Sequence, residues 1–175
     1  RDEHGNPTGL VYEAAVGLIN DAMPSLTITE QRNAILAGQR ALLEQGITAF
    51  TDPGLGPGAR TLMDGTGDLH AVEAYQQLDR EGELRMRVNI MLLFGGLGGT
   101  RASDVASGLD TWGEPFRGGP FSHLDIAQLK VFADGIPRSR TAWLSEPYDD
   151  CSCGHLQVAG ETDDERVDEL KAIVR

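Results

Sequence analysis

Lys130 stands in the run "AQLKVFAD", Ala127 to Asp134, among residues that otherwise read as a buried strand. A lysine seldom enters such a run without a partner or a task, because its ammonium is costly to desolvate. Strand alternation puts Lys130 on one face with Gln128, Phe132 and Asp134, and Leu129, Val131 and Ala133 on the other. A polar-enriched face on an apolar strand suits the mouth of a barrel, where parallel strands end and catalytic groups collect. Two chemistries are open to an amine placed there. It can attack a carbonyl as a Schiff-base nucleophile. After reaction with CO₂ it can instead serve as an anionic carbamate that bridges two metal ions. The silent reading is an edge-strand lysine with its ammonium in water.

Other residues of chemical interest carry less. "GLGPGA" (54–59) follows a strand-like run and fits a dinucleotide-binding glycine pattern. That mechanism needs the loop to open a helix whose N-terminus holds a pyrophosphate. Pro57, Gly65 and Gly67 break any such helix, and the acidic residue at the right distance, Glu73, falls inside a later one. "GGLGG" (95–99) lacks the following Lys and Ser or Thr of a phosphate loop. Both clusters read as tight turns at strand ends. "CSCGH" (151–155) has no second ligand pair to complete a structural zinc site. His4, His70, His123 and His155 are scattered, and no G-x-S-x-G elbow supports a serine hydrolase.

The elements that must position Lys130 follow from periodicity. Residues 10–23 have helical apolar spacing and end at Pro24. Thr27 and Glu30 form a capping box for a second helix, with Ile35, Leu36, Leu42 and Leu43 on one face and Gly46 beyond its end. Residues 47–52, "ITAFTD", read as a short buried strand. Asp68 caps a helix carrying Leu69, Val72, Tyr75 and Leu78, which Gly82 stops. A second strand is predicted over 84–94, and residues 101–122 read as loop with one short helix. The third strand is predicted over 125–133, and Thr162 with Glu165 caps a last helix. Alternation of strands and helices predicts a parallel sheet built from βαβ units.

The totals narrow the partners. With 15 basic and 27 acidic residues the formal charge is -12. So acidic a surface repels a phosphate backbone, which argues against nucleic acid. No apolar run reaches the roughly 18 residues of a membrane span, and no signal-peptide pattern opens the chain. A soluble, cytoplasmic protein is expected. The opening "RDEHGNPTG" and the helix at the C-terminus suggest a fragment of something larger.

Four stretches, in order, resemble amidohydrolase family 3, the metal-dependent group that includes N-substituted formamide deformylases. "RDEHGNPTGLVYEAA" resembles an insertion segment of that family, with Glu13 at a matching position. "LLEQGITAFTDPG" resembles its second barrel strand, and "AYQQLDREGELRMRV" its next helix and third strand. "KVFADG…SRTAWLSEPY" resembles the fourth-strand segment. The resemblance implies a partial TIM (β/α)₈ barrel, about strands 2–4, in an enzyme that hydrolyses C–N bonds of small amides with a divalent metal, commonly zinc. Residues 1–46 would be a helical insertion segment and 47–175 the partial barrel. Lys130 would be the carboxylated metal-ligating lysine. The family's other ligands, a His-x-His pair, two single histidines and an aspartate, match nothing in this chain, and His155 lacks the context of any of them. Asp134 and, more weakly, Asp52 become substrate-binding candidates, although Asp134-Gly135 also suits a plain turn. Ile136-Pro137 departs from the serine-rich turn the family more often carries there. A Schiff-base lyase and a catalytically inert partial barrel are the alternatives.

Overall fold

Thr27 caps the helix that follows it, as its sequence requires. Its hydroxyl accepts from the Glu30 main-chain N–H, and the Glu30 carboxylate accepts from the Thr27 N–H at 2.8 Å. Those bonds hold the Glu30 carboxyl below the usual glutamate range. In the computed structural model, residues 3–10, 24–59, 67–113, 116–117, 120–149 and 152–175 are described. The helix expected over 10–23, with Glu13, lies almost wholly outside them. In order come α1 (Ile28–Glu44), β1 (Ala49–Leu55), α2 (Leu69–Arg80), β2 (Arg87–Leu92), α3 (Ala102–Trp112), β3 (Phe116–Arg117), β4 (Leu124–Leu129) and α4 (Asp163–Ile173).

The sheet runs in the order β1-β2-β4-β3. β1, β2 and β4 are parallel neighbours, with Phe50 opposite Val88 and Val88 opposite Leu124. β3 was not anticipated. It pairs antiparallel to β4, Phe116 against Ile126. One face of the sheet is apolar: Val88, Ile90, Leu92, Leu124 and Ile126 form a buried cluster with Val72, Tyr75 and Leu78 of α2. Ile35, Leu36, Leu42 and Leu43 of α1 pack against the same cluster. The other face carries Thr51, Arg87, Asn89, Asp125 and Gln128, none of them fully buried.

Two side chains fix the helices to strand starts. Gln39 of α1 is buried; its Oε1 accepts from the Arg85 and Met86 N–H groups, and its Nε2 donates to the Glu83 carbonyl at 3.1 Å. Asp79 of α2 accepts from the Ser122 hydroxyl and from the His123 N–H at 2.8 Å, which holds the entry to β4. Among the described residues no helix is long and apolar enough to cross a membrane.

The strand extents need correction. β4 ends at Leu129 and does not continue to 133, so Lys130 lies just past the strand and not in its middle. The ladder stops because β2 stops: Leu92 is its last paired residue, and the glycine-rich turn after it offers no further partner.

Candidate active-site end of the sheet

Lys130 is held by its main chain. Its N–H donates to the Leu92 carbonyl at 2.8 Å, the last bond between β4 and β2. The side chain is half-buried, and Nζ lies 4.5 Å from the centroid of the Phe132 ring, a cation–π contact. The face that Lys130 takes depends on a bulge. Ile90 pairs with Ile126, but Met91 pairs with Gln128, so Ala127 is the extra residue. The bulge brings Gln128 onto the open face, where its Oε1 accepts from Asn89 Nδ2 at 2.9 Å. Alternation then sends Lys130 to the side of Gln128.

The glycine clusters build the same end of the sheet. Gly58 donates to the Leu93 carbonyl at 2.9 Å, and Leu93 donates to the Leu55 carbonyl. A Cβ on Gly58 would come within 2.7 Å of the Gly95 backbone. Gly56 has φ +136°, with a would-be Cβ 2.8 Å from the Leu93 oxygen. These glycines let the turns after β1 and β2 touch, which bears out the reading as strand-end turns.

The aspartates fall in different places. Asp52 is opposite Ile90 and faces the helices, where the Tyr75 hydroxyl donates to its Oδ2 at 3.4 Å. Burial, then the Asp52 charge and this hydrogen bond, raise the Tyr75 hydroxyl above the usual phenol range, so Tyr75 remains the donor. Both line a cavity of ≈ 270 Å³ with Gln31 and Gln39 of α1, on the side of the sheet away from Gln128. Asp134 lies on the same end as Lys130, but its Oδ2 accepts from the Trp143 N–H at 3.0 Å. Its carboxylate thus pins the loop that follows.

That loop is tied down along its length. Asp134 bridges to Leu156, Leu144 donates to the Cys153 carbonyl, and Gln157 donates to the Ala133 carbonyl. The segment then crosses to the β2 turn: Gly98 donates to the Gln157 carbonyl, and Thr100 bridges to Val158. It carries His155, which stood out in the sequence only as the end of "CSCGH" and was not assigned a role. His155 is exposed, and its Nε2 lies 3.0 Å from Nε2 of Gln157, a side chain only 3 % exposed. The one signal for it in the sequence was a glutamine inside the apolar run "LQVAG".

A larger depression, ≈ 640 Å³, opens where the strands begin, between Thr51, Arg87, Asn89, His123 and Asp125. Asn89 Oδ1 and Asp125 Oδ1 are buried there without a hydrogen-bond partner. In parallel α/β sheets chemistry sits at the opposite end, so this depression is not the catalytic candidate. Among the described residues no group of three or more His, Cys, Asp or Glu side chains could hold a metal. Lys130 has no companion donors in this stretch, and the described residues do not make a metal centre alone.

Known proteins supply the context. The sequence model of the amidohydrolase family matches residues 1–175. The chain is 27 % identical over 161 residues to YtcJ of Bacillus subtilis (strain 168), which bears an amidohydrolase name, covering 90 % of this chain and 26 % of YtcJ. It is 26 % identical over 152 residues to LONG AFTER FAR-RED 3 of Arabidopsis thaliana, covering 83 % of this chain and 23 % of that protein. The chain therefore spans about a quarter of these relatives. A crystal structure of an uncharacterized metal-dependent hydrolase from Pyrococcus furiosus superposes with TM-score 0.56 at 27 % identity, over 90 % of this chain and 28 % of that one. Its counterpart from Pyrococcus horikoshii OT3 gives 0.54 at 25 % identity, over 85 % and 26 %.

Proposed function

The chain belongs to the amidohydrolase family, and from that premise we propose that it forms part of a metal-dependent hydrolase acting on C–N bonds of small non-peptide amides. In this reading β1, β2 and β4 are barrel strands 2–4, residues 1–46 are a helical segment ahead of them, and 47–175 belong to the barrel. The enzyme is cytoplasmic and does not bind nucleic acid.

The observation that carries the reading is the position of Lys130, at the C-terminal end of a central parallel strand, with its main chain bonded to β2. There a carboxylated Lys130 would serve as one ligand to a divalent ion, zinc by family habit. Such an ion supplies an acidified water and polarises the amide carbonyl. The Lys130 amine would supply the carbamate nitrogen and CO₂ its oxygens, and the bond to Leu92 fixes the main chain from which that group would extend. Asp134 shapes the substrate side through the loop that it pins. Asp52, turned toward Tyr75 and the helices, is not kept in the proposed site.

The test uses an enzyme of full family length that carries residues 1–175. Lys130→Ala should lose most of the bound metal, measured by elemental analysis, and most turnover of N-formyl amines. Lys130→Arg should fail equally, because a guanidinium stays cationic and forms no carbamate. Normal metal content and rate in Lys130→Arg would refute the assignment. Borohydride trapping of a carbonyl compound on Lys130, without metal, would favour a Schiff-base lyase instead. Residues 1–175 alone should not turn over amides even with added zinc, since one ligand cannot replace the set that activates water.

A further inference from the structure

We propose that His155 is a substrate-binding residue: a neutral imidazole, fixed in one tautomer by the buried Gln157 amide, whose Nδ1–H donates to an acceptor oxygen of the bound substrate. The substrate half of this rests on the hydrolase reading above; the tautomer half stands on the geometry alone.

Gln157 is the starting point. A buried amide is costly unless its groups are paired. The main chain of Gln157 is paired twice, by its N–H to Ala133 and by its carbonyl to Gly98. Its side-chain Nε2, in contrast, is directed at an exposed residue, His155, at 3.0 Å. An amide nitrogen can only donate, so His155 Nε2 accepts and the ring proton resides on Nδ1. Ordering an exposed ring costs side-chain entropy and contributes little to stability. A buried amide spent on such a ring is more readily explained by binding than by folding.

The location agrees. Residues 155–158 form a strap over the ends of two strands. Gln157 is bonded to Ala133, three residues beyond Lys130, and to Gly98 in the turn after β2. Val158 bridges to Thr100 on the far side of that turn. The strap is thus anchored to the segments that follow the two strands joined by the Lys130–Leu92 bond. In barrels of parallel strands, the loops at this end select the substrate. An N–H donor from the strap suits a carbonyl or carboxylate oxygen in a small amide.

Two measurements test the proposal. In residues 1–175, long-range ¹H–¹⁵N correlation spectra of the histidine rings should show His155 as the Nδ1–H tautomer at neutral pH. Gln157→Leu should return it to the mixture found in free histidine; should leucine disturb the fold, Gln157→Glu, whose carboxylate only accepts, should make Nε2 the donor. An Nε2–H ring in the unaltered chain, or no change in either variant, overturns the assignment. In the full-length enzyme, His155→Ala should raise KM for N-formyl amines about tenfold, the size of one lost neutral hydrogen bond, with kcat and metal content unchanged. Unchanged KM in an active enzyme overturns the role of His155 alone. An unaltered enzyme that turns over no amide overturns the hydrolase reading and the substrate half with it, while the spectra still decide the tautomer.

Discussion

Replacing Gly58 with alanine asks whether the two glycine turns meet as described. Gly58 lies in no unusual backbone region, so the penalty is steric and comes from one neighbour. The new Cβ would sit 2.7 Å from the carbonyl carbon and nitrogen of Gly95 and 2.9 Å from its oxygen. Carbon contacts relax near 3.5–4.0 Å, so about 1 Å must be found. No flexible side chain can supply it, because the obstacle is backbone in the turn after β2. Over-packing of this kind costs about 1–3 kcal/mol. A retreat of the turn also strains the Gly58 N–H bond to the Leu93 carbonyl, worth about 1 kcal/mol more. The expected loss, about 2–4 kcal/mol, should lower the urea midpoint by about 1–2 M. Gly38→Ala is the control, since Gly38 is helical and nothing lies within 4 Å of its would-be Cβ. That change should stabilise by about 1 kcal/mol through helix propensity. A Gly58→Ala chain within about 0.5 kcal/mol of the parent would show that the turns do not touch.

Three further outcomes are expected. Gln39→Leu removes the acceptor of two strand-entry N–H groups and the donor to Glu83, and should cost about 2–3 kcal/mol, with faster hydrogen exchange at Arg85 and Met86. Asp125→Leu removes a carboxylate oxygen buried without a partner; residues 1–175 should gain about 1 kcal/mol in denaturant melts, and a loss would mean that the oxygen is satisfied. Glu30 and Glu165 both titrate below the usual glutamate range in the folded chain, chiefly through bonds from main-chain N–H groups. The stability they contribute is therefore full above the unfolded value and is lost as pH falls through the lowered folded value. Amide protection in the first turns of α1 and α4 should fall over that acidic interval, and Glu30→Gln should abolish the dependence in α1.

What could be read from the chain beforehand was what neighbours decide. Thr27 with Glu30, Thr162 with Glu165, and Asp68 each cap a helix within a few residues, so their spacing suffices. Strand ends were harder, because a ladder stops where its partner stops. Lys130 left the strand for a reason written in β2. Its face relative to Gln128 rests on alternation alone, and the bulge at Ala127 that moves Gln128 to the open side has no local signature. Asp52 was named only as a residue at a strand end; the side it takes, with Phe50 against the helices, was not read from its own segment. β3 is two residues long, too short to show alternation, and the strap through His155 depends on partners distant in sequence, with Gln157 inside its apolar run as the one local sign.

β1 forms one margin of the sheet, and Pro53 and Gly54 sit within it where the register with β2 slips between Asp52 and Leu55. A proline offers no N–H to a neighbour on either side. Past the proline the margin is already taken: Leu55 bridges in parallel to Gly67, and the Gly56 N–H donates to the Gly67 carbonyl at 3.0 Å. A strand laid along this margin from Ala49 would meet the proline first and then a place already filled. An aggregating neighbour is thus denied a full-length template.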